Sequence, residues 1–242
     1  VCVVFFLFLL ASCAPSEEEV QQSISETMAA WVTDTPIPTN TPKPTFTPKP
    51  SPTPLPTATK VPEPVYFLGM NDDIVDFDVP WRGSPGLLQI SYSGRSNFIV
   101  KSYDANGEQI DLLVNEIGSY EGTVLLDQFD ADGPTTRLSV ESSGTWQIKA
   151  CPLVLSCMNS IVVPGKLDGK GDDVIFVSGK PDIITVVIPG HNYVGVWAYS
   201  DDGRDLIVND IGPYSGKSIL PVSTFLIVIT TSEDWSIDVT AR

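Results

Sequence analysis

One stretch of this chain is written twice. Residues 112–122 read Leu-Leu-Val-Asn-Glu-Ile-Gly-Ser-Tyr-Glu-Gly, and residues 206–216 read Leu-Ile-Val-Asn-Asp-Ile-Gly-Pro-Tyr-Ser-Gly. An internal repeat constrains the fold more than any composition does, because whatever one copy becomes, the other must become too. The match extends outward from this motif. Asn71-Asp72-Asp73-Ile74 aligns with Gly171-Asp172-Asp173-Val174, Gly94 with Gly190, and Val100 and Tyr103 with Val196 and Tyr199. Asn106-Gly107 aligns with Asp202-Gly203, Asp111 with Asp205, and Trp146-Gln147-Ile148 with Trp235-Ser236-Ile237. Two modules follow, at 65–150 and 166–242, joined by a linker at 151–165 that carries a cysteine pair.

Within each module, short apolar runs alternate with clusters of Gly, Asp, Asn and Ser. That is the signal of many short strands rather than helices. The expected fold is all-β: two tandem small antiparallel sandwiches of jelly-roll type. Alternation also predicts which side chains face the core. Phe98, Val100 and Ser102 share one face of a strand, as do their counterparts Val194, Val196 and Ala198. Small or apolar in both copies, that face is expected inside. Leu138 and Val140, with Ile227 and Ile229, form a late core strand, and Trp146 and Trp235 anchor the last one. Asn106-Gly107 and Asp202-Gly203 are expected hairpin turns, since these residues tolerate positive φ.

The repeated motif reads as architecture. Asn115 and Asn209 are expected to bond to backbone and start a turn, and Gly118 and Gly212 to supply positive φ. Tyr120 and Tyr214 are expected to bury a ring and bond backbone through the hydroxyl, as in a tyrosine corner. Gly122 and Gly216 are expected to open the next strand. The strand rhythm is similar to that of small jelly-roll modules of the pre-peptidase C-terminal type. That resemblance implies a fold and assigns no functional residue.

Charge removes several classes of function. The chain has 14 basic and 30 acidic residues, a formal charge of −16, so nucleic acid is not an expected partner. With a single histidine, His191, neither a multi-histidine metal site nor a histidine pair is available. There is no G-x-S-x-G, no P-loop and no H-E-x-x-H. The chain is expected not to be an enzyme.

Two sites remain as candidates. The first is a calcium site among loop acids: Asp72, Asp73, Asp104, Asn106, Asp127, Asp130, Asp132, Asp172, Asp173, Asp201 and Asp202. Calcium takes six to eight such oxygens, but no segment has EF-hand spacing, and hairpin turns explain most of these residues equally well. No other cofactor is expected. The second is an aromatic ligand platform at Trp197 and Tyr199, which share the non-core face of their strand. The competing expectation is that a neighbouring sheet, module or loop covers them.

The chain opens on an uncharged apolar run, residues 1–10, too short to span a bilayer and fitting the core of an export signal. It ends in Leu10-Ala11-Ser12-Cys13. This resembles the lipobox of bacterial lipoproteins, in which the peptide is cut before the cysteine and that cysteine is acylated. The resemblance implies a signal peptide at 1–12 and lipidation at Cys13, placing the protein outside the cell membrane and held to it by lipid. The run lacks a starting Met and a basic segment, so the signal is expected to begin upstream. Residues 13–33 are expected to hold the lipidated cysteine and a short amphipathic helix, with Ser16 and Glu19 as capping box. Residues 34–64 alternate Thr-Pro and Lys-Pro, which prevents helix and sheet and leaves an extended, disordered stalk. An exported protein meets oxidant, so Cys151 and Cys157 are expected to form a disulfide.

These readings converge on a non-catalytic surface lipoprotein that displays tandem sandwiches to bind a glycan, a cell-wall polymer or a protein. The rival expectations are a structural protein of the envelope and an accessory subunit of an extracellular enzyme.

Overall fold

Outward-facing and inward-facing residues alternate through seventeen strands in the computed structural model, which describes residues 61–128 and 133–242. Cys13, the signal, the helix, nearly all of the stalk, and Asp130 and Asp132 lie outside the described residues. In the first module the strands are β1 (Val65–Met70), β2 (Asp73–Asp76), β3 (Gly86–Ser93), β4 (Asn97–Tyr103), β5 (Gln109–Ile117), β6 (Tyr120–Leu126), β7 (Arg137–Glu141) and β8 (Thr145–Pro152). The second holds β10 (Gly165–Lys170), β11 (Asp173–Ser178), β12 (Pro181–Ile188), β13 (Tyr193–Ser200), β14 (Gly203–Ile211), β15 (Tyr214–Ile219), β16 (Leu226–Thr231) and β17 (Asp234–Ala241).

The first module pairs its strands as β1-β8-β3-β6 in a front sheet and β2-β7-β4-β5 in a back sheet. The second repeats this as β10-β17-β12-β15 and β14-β13-β16-β11. Each strand of one copy has its counterpart nine places later, so both copies have one topology, the eight-stranded jelly roll. One addition breaks the symmetry. The segment expected as a linker contains a 3₁₀ turn, Leu155–Cys157, and then β9 (Asn159–Val162), which pairs in parallel with β11. Ile161 of β9 is thereby buried in the second core. The connecting segment is thus part of the second module's back sheet.

The predicted core faces are inside. Phe98, Val100 and Ser102 are buried, as are Val194, Val196, Ala198, Leu138, Val140, Ile227 and Ile229. Each module closes on its tryptophan by the same device. Trp146 lies opposite Gly69 across β8 and β1, and its indole Nε1 donates to the Asn71 carbonyl at 3.0 Å. Trp235 lies opposite Gly169, and its Nε1 donates to the Gly171 carbonyl at 2.9 Å. The bond satisfies the one polar atom of a large buried ring. Asn71 and Gly171 both sit in the left-handed region, at φ 63 and 73.

The repeated motif folds differently in detail from what its residue types predict. Asn115 and Asn209 start no turn; they lie within β5 and β14 and pair with Ile99 and Gly195. The neighbouring strand still offers partners as far as Ile117 and Ile211, so the ladder runs on. The turn falls at Gly118 and Gly212, at φ 95 and 105, where the amides donate to Ser96 and Asn192 carbonyls at 3.1 Å each. Tyr120 and Tyr214 open the next strands. Gly122 and Gly216 do not; they sit two residues in, where a Cβ would strike the tyrosine ring of their own strand.

Candidate functional site

Both modules belong to one compact unit, Ala58–Arg242, and meet front to back. Leu87, Leu125 and Cys151 face outward from the first module's front sheet. Val174, Tyr199 and Leu226 face outward from the second module's back sheet. All six are buried in one cluster with Cys157, and Trp197, Phe225 and Val228 pack against it. Burying outward-facing apolar side chains stabilises a fixed pairing of modules, by roughly 1.5–3 kcal/mol for each large aliphatic residue. The Cys151–Cys157 disulfide spans six positions and pins the connecting turn to the first module. Beside it, the Gln89 amide donates to the Cys157 carbonyl at 3.1 Å.

Polar bonds cross the same seam. The Thr123 amide donates to the Asp172 carbonyl at 2.8 Å. The Tyr120 hydroxyl donates to Asp172 Oδ2 at 2.7 Å, while the Thr231 amide donates to Asp172 Oδ1 at 2.8 Å. Tyr120 therefore buries its ring in the first core, as expected, but its hydroxyl bonds a carboxylate of the next module rather than backbone. A tandem partner within reach explains the change. Tyr214 is half-buried against the second core. Asp172 is only 8% exposed, and burial pushes its carboxyl up to about 6; the two bonds it accepts pull the other way. Burial also raises Tyr120, with the charge of Asp172 adding to it. Asp173 and Glu116 are raised by burial as well.

Below the apolar seam the two modules part into a cleft of about 1210 Å³. Its floor is the outer face of the first front sheet. Because Ile90, Tyr92, Trp146 and Ile148 point into the core, period-two alternation turns Gln89, Ser91, Gln147 and Lys149 outward, with Glu121 and Thr123 of β6 beside them. Lys170, Asp172, Asp173, Asn159, Thr231 and Ser232 form the facing wall, and Leu68 the opposite rim. The lining is rich in amides and hydroxyls, groups that both donate and accept hydrogen bonds.

The sequence-derived candidates fall elsewhere or have other partners. The expected Trp197–Tyr199 platform is not an open face. Tyr199 is 5% exposed in the seam and donates to Gln128 Oε1 at 2.8 Å; the Arg204 guanidinium lies 5.2 Å above the Trp197 ring. Alternation shows which residues leave a core, but not what covers them, and here the first module does. Four of the calcium candidates, Asp72, Asp73, Asp172 and Asp173, are engaged as strand-end acceptors, alike in both copies. Asp72 Oδ1 takes the Ser142 amide at 2.8 Å as Asp172 takes that of Thr231. Asp73 and Asp173 each take the amide of the next residue at 2.8 Å. Asp201 and Asp202 are exposed in the hairpin turn before Gly203. Asp127 binds the amide and hydroxyl of Thr135. Among the described residues no group of three or more His, Cys, Asp or Glu could hold a metal ion.

Of the floor residues, Gln89, Ser91 and Lys149 carry no sequence motif, and Gln147 stands in one only as the variable middle of the repeated Trp-x-Ile triplet. A signal existed: Leu87-Leu88 is apolar on both faces at one end of β3, which marks a sheet face that something covers. The chain matches no protein-family model and no curated protein.

Proposed function

We propose that this chain is a non-catalytic surface lipoprotein. In this reading Cys13 is acylated, residues 34–64 raise the tandem jelly rolls from the membrane, and the inter-module cleft binds an extracellular ligand. The observation that supports it is the cleft itself: a large concave site on a rigid sheet, lined by amides and hydroxyls, between modules joined by a buried seam. Fixing the cleft before the ligand arrives lowers the ordering entropy of binding. The test has two arms. Palmitate labelling of the full chain expressed with an export signal should appear on the protein and vanish in Cys13→Ser. A screen of glycans, cell-wall polymers and envelope proteins should return a ligand whose binding is abolished by a bulky substitution in the cleft floor, Ser91→Trp. Absence of label removes the anchor; a ligand indifferent to Ser91→Trp removes the site.

A second reading, self-assembly in the envelope, is favoured by one feature. Ile117 and Ile211 occupy the same place in each module and are 80% and 77% exposed. Light scattering that shows a concentration-independent monomer would dismiss it.

A further inference from the structure

The two modules share one strand frame, so a difference at matched outward positions is not required by the fold. The sharpest difference is on the first strand. Tyr66, Leu68 and Met70 point outward from β1 and are 56%, 69% and 65% exposed. Their counterparts on β10 are Lys166, Asp168 and Lys170, tied into the exposed ion pairs Lys166–Asp168 and Lys170–Asp234. Next to this apolar ridge the register sets Lys149 beside Tyr66 and Gln147 beside Leu68, with Gln89 and Ser91 on the strand beyond. The same rows in the second module hold Asp238 and Ser236, then Thr185 and Val187. One copy therefore presents an apolar ridge along a floor of amides and hydroxyls. The other presents a solvated ionic face.

We propose that the cleft takes a neutral saccharide chain, held by the first module alone, with the second module serving as its wall. This rests on the reading of the protein as a binding protein and names the ligand class of that same site. A pyranose ring has an apolar face of C–H groups and an edge of hydroxyls. Leu68 on the cleft rim, continued along the outward face of β1 by Tyr66 just beyond it, meets the first, and Gln89, Ser91 and Gln147 meet the second, each able to donate or accept. Gln89 keeps its Oε1 as an acceptor while its Nε2 is held by Cys157. The local charges are mixed: Lys149 and Lys170 line the cleft together with Glu116, Glu121 and the buried Asp172 and Asp173, and the chain as a whole carries −16. A polyanion would be repelled, and any charged ligand would pay for desolvation without a dedicated counter-charge. At about 1210 Å³ the cleft exceeds the roughly 300–1,000 Å³ of a pocket for one small molecule, which fits a chain segment.

The test is calorimetric titration of the full chain with hexasaccharides of β-linked glucose, of N-acetylglucosamine and of a uronic acid. Tyr66→Ala and Gln147→Ala are compared with the control Lys166→Ala in the second module. All three replacements are on exposed strand faces, and unchanged melting curves verify their folding. At least one neutral hexasaccharide should bind, each first-module variant should weaken it about tenfold, and Lys166→Ala should leave it unaltered. Neutral binding undiminished by Tyr66→Ala and Gln147→Ala overturns the site. Preference for the uronic acid, or binding of an envelope protein in place of every saccharide, overturns the ligand class while the reading as a binding protein stands. No ligand in any arm of this titration or of the wider screen overturns both.

Discussion

Replacing Asp172 by Asn should invert part of the protein's stability profile with pH. Asp172 is buried in the seam, and its carboxyl is raised from 3.8 to about 6. A carboxyl raised on folding binds its proton more tightly in the folded state. Its stabilising contribution is complete below about pH 4, shrinks as pH rises, and is lost above about pH 6. A gap of about two pH units, at 1.36 kcal/mol each, makes this swing about 3 kcal/mol. Asn carries no charge at any pH, so the variant escapes the swing. It has one side-chain oxygen where Asp has two, so it cannot accept from both Tyr120 and Thr231; exchanging the Tyr120 bond for a weaker one donated by the Asn amide nitrogen costs about 1 kcal/mol. The variant should therefore be less stable than the parent by about 0.5 kcal/mol at pH 4 and more stable by about 1–2 kcal/mol at pH 7.5, with the curves crossing between about pH 4 and 5. Urea denaturation followed by tryptophan fluorescence from pH 4 to 8 measures the difference. Titration of other acids, including the raised Asp173 and Glu116, largely cancels in the comparison. A difference between the two proteins that stays constant from pH 4 to 7.5 would refute the assignment of a buried, ionising carboxylate to this seam.

Two further outcomes test the architecture. A Cβ at Gly69 or Gly169 would come within 2.1 or 2.2 Å of the partner tryptophan ring, so Gly69→Ala and Gly169→Ala should each cost about 1–3 kcal/mol in chemical denaturation, to a similar degree if the closures are equivalent. Reducing the Cys151–Cys157 disulfide, which closes a short loop, should lower stability by about 2 kcal/mol while far-ultraviolet circular dichroism keeps its sheet spectrum.

Much of the module fold was legible because its signals are local. Alternation put Phe98 and Val100 inside, the glycine at 118 marked a turn, and the tryptophans were core anchors. The motif misled where a long-range partner decided the outcome. Asn115 looked like a turn starter, but the adjacent strand continued to offer ladder bonds. Tyr120 looked like a corner closed on its own backbone, but an acceptor of the next module lay within reach.

The sequence by itself determined that one sheet-forming unit is made twice, what faces each core, and that Cys151 and Cys157 lie close enough along the chain to join. These properties depend on neighbours in sequence and on period two, which a strand imposes on any residues it contains. Only tertiary structure decided that the modules meet front to back, that the meeting hides Tyr199 and buries Asp172, and that a polar cleft opens beneath it. Those outcomes depend on which outward faces come together, and an outward side chain carries no mark of its future neighbour.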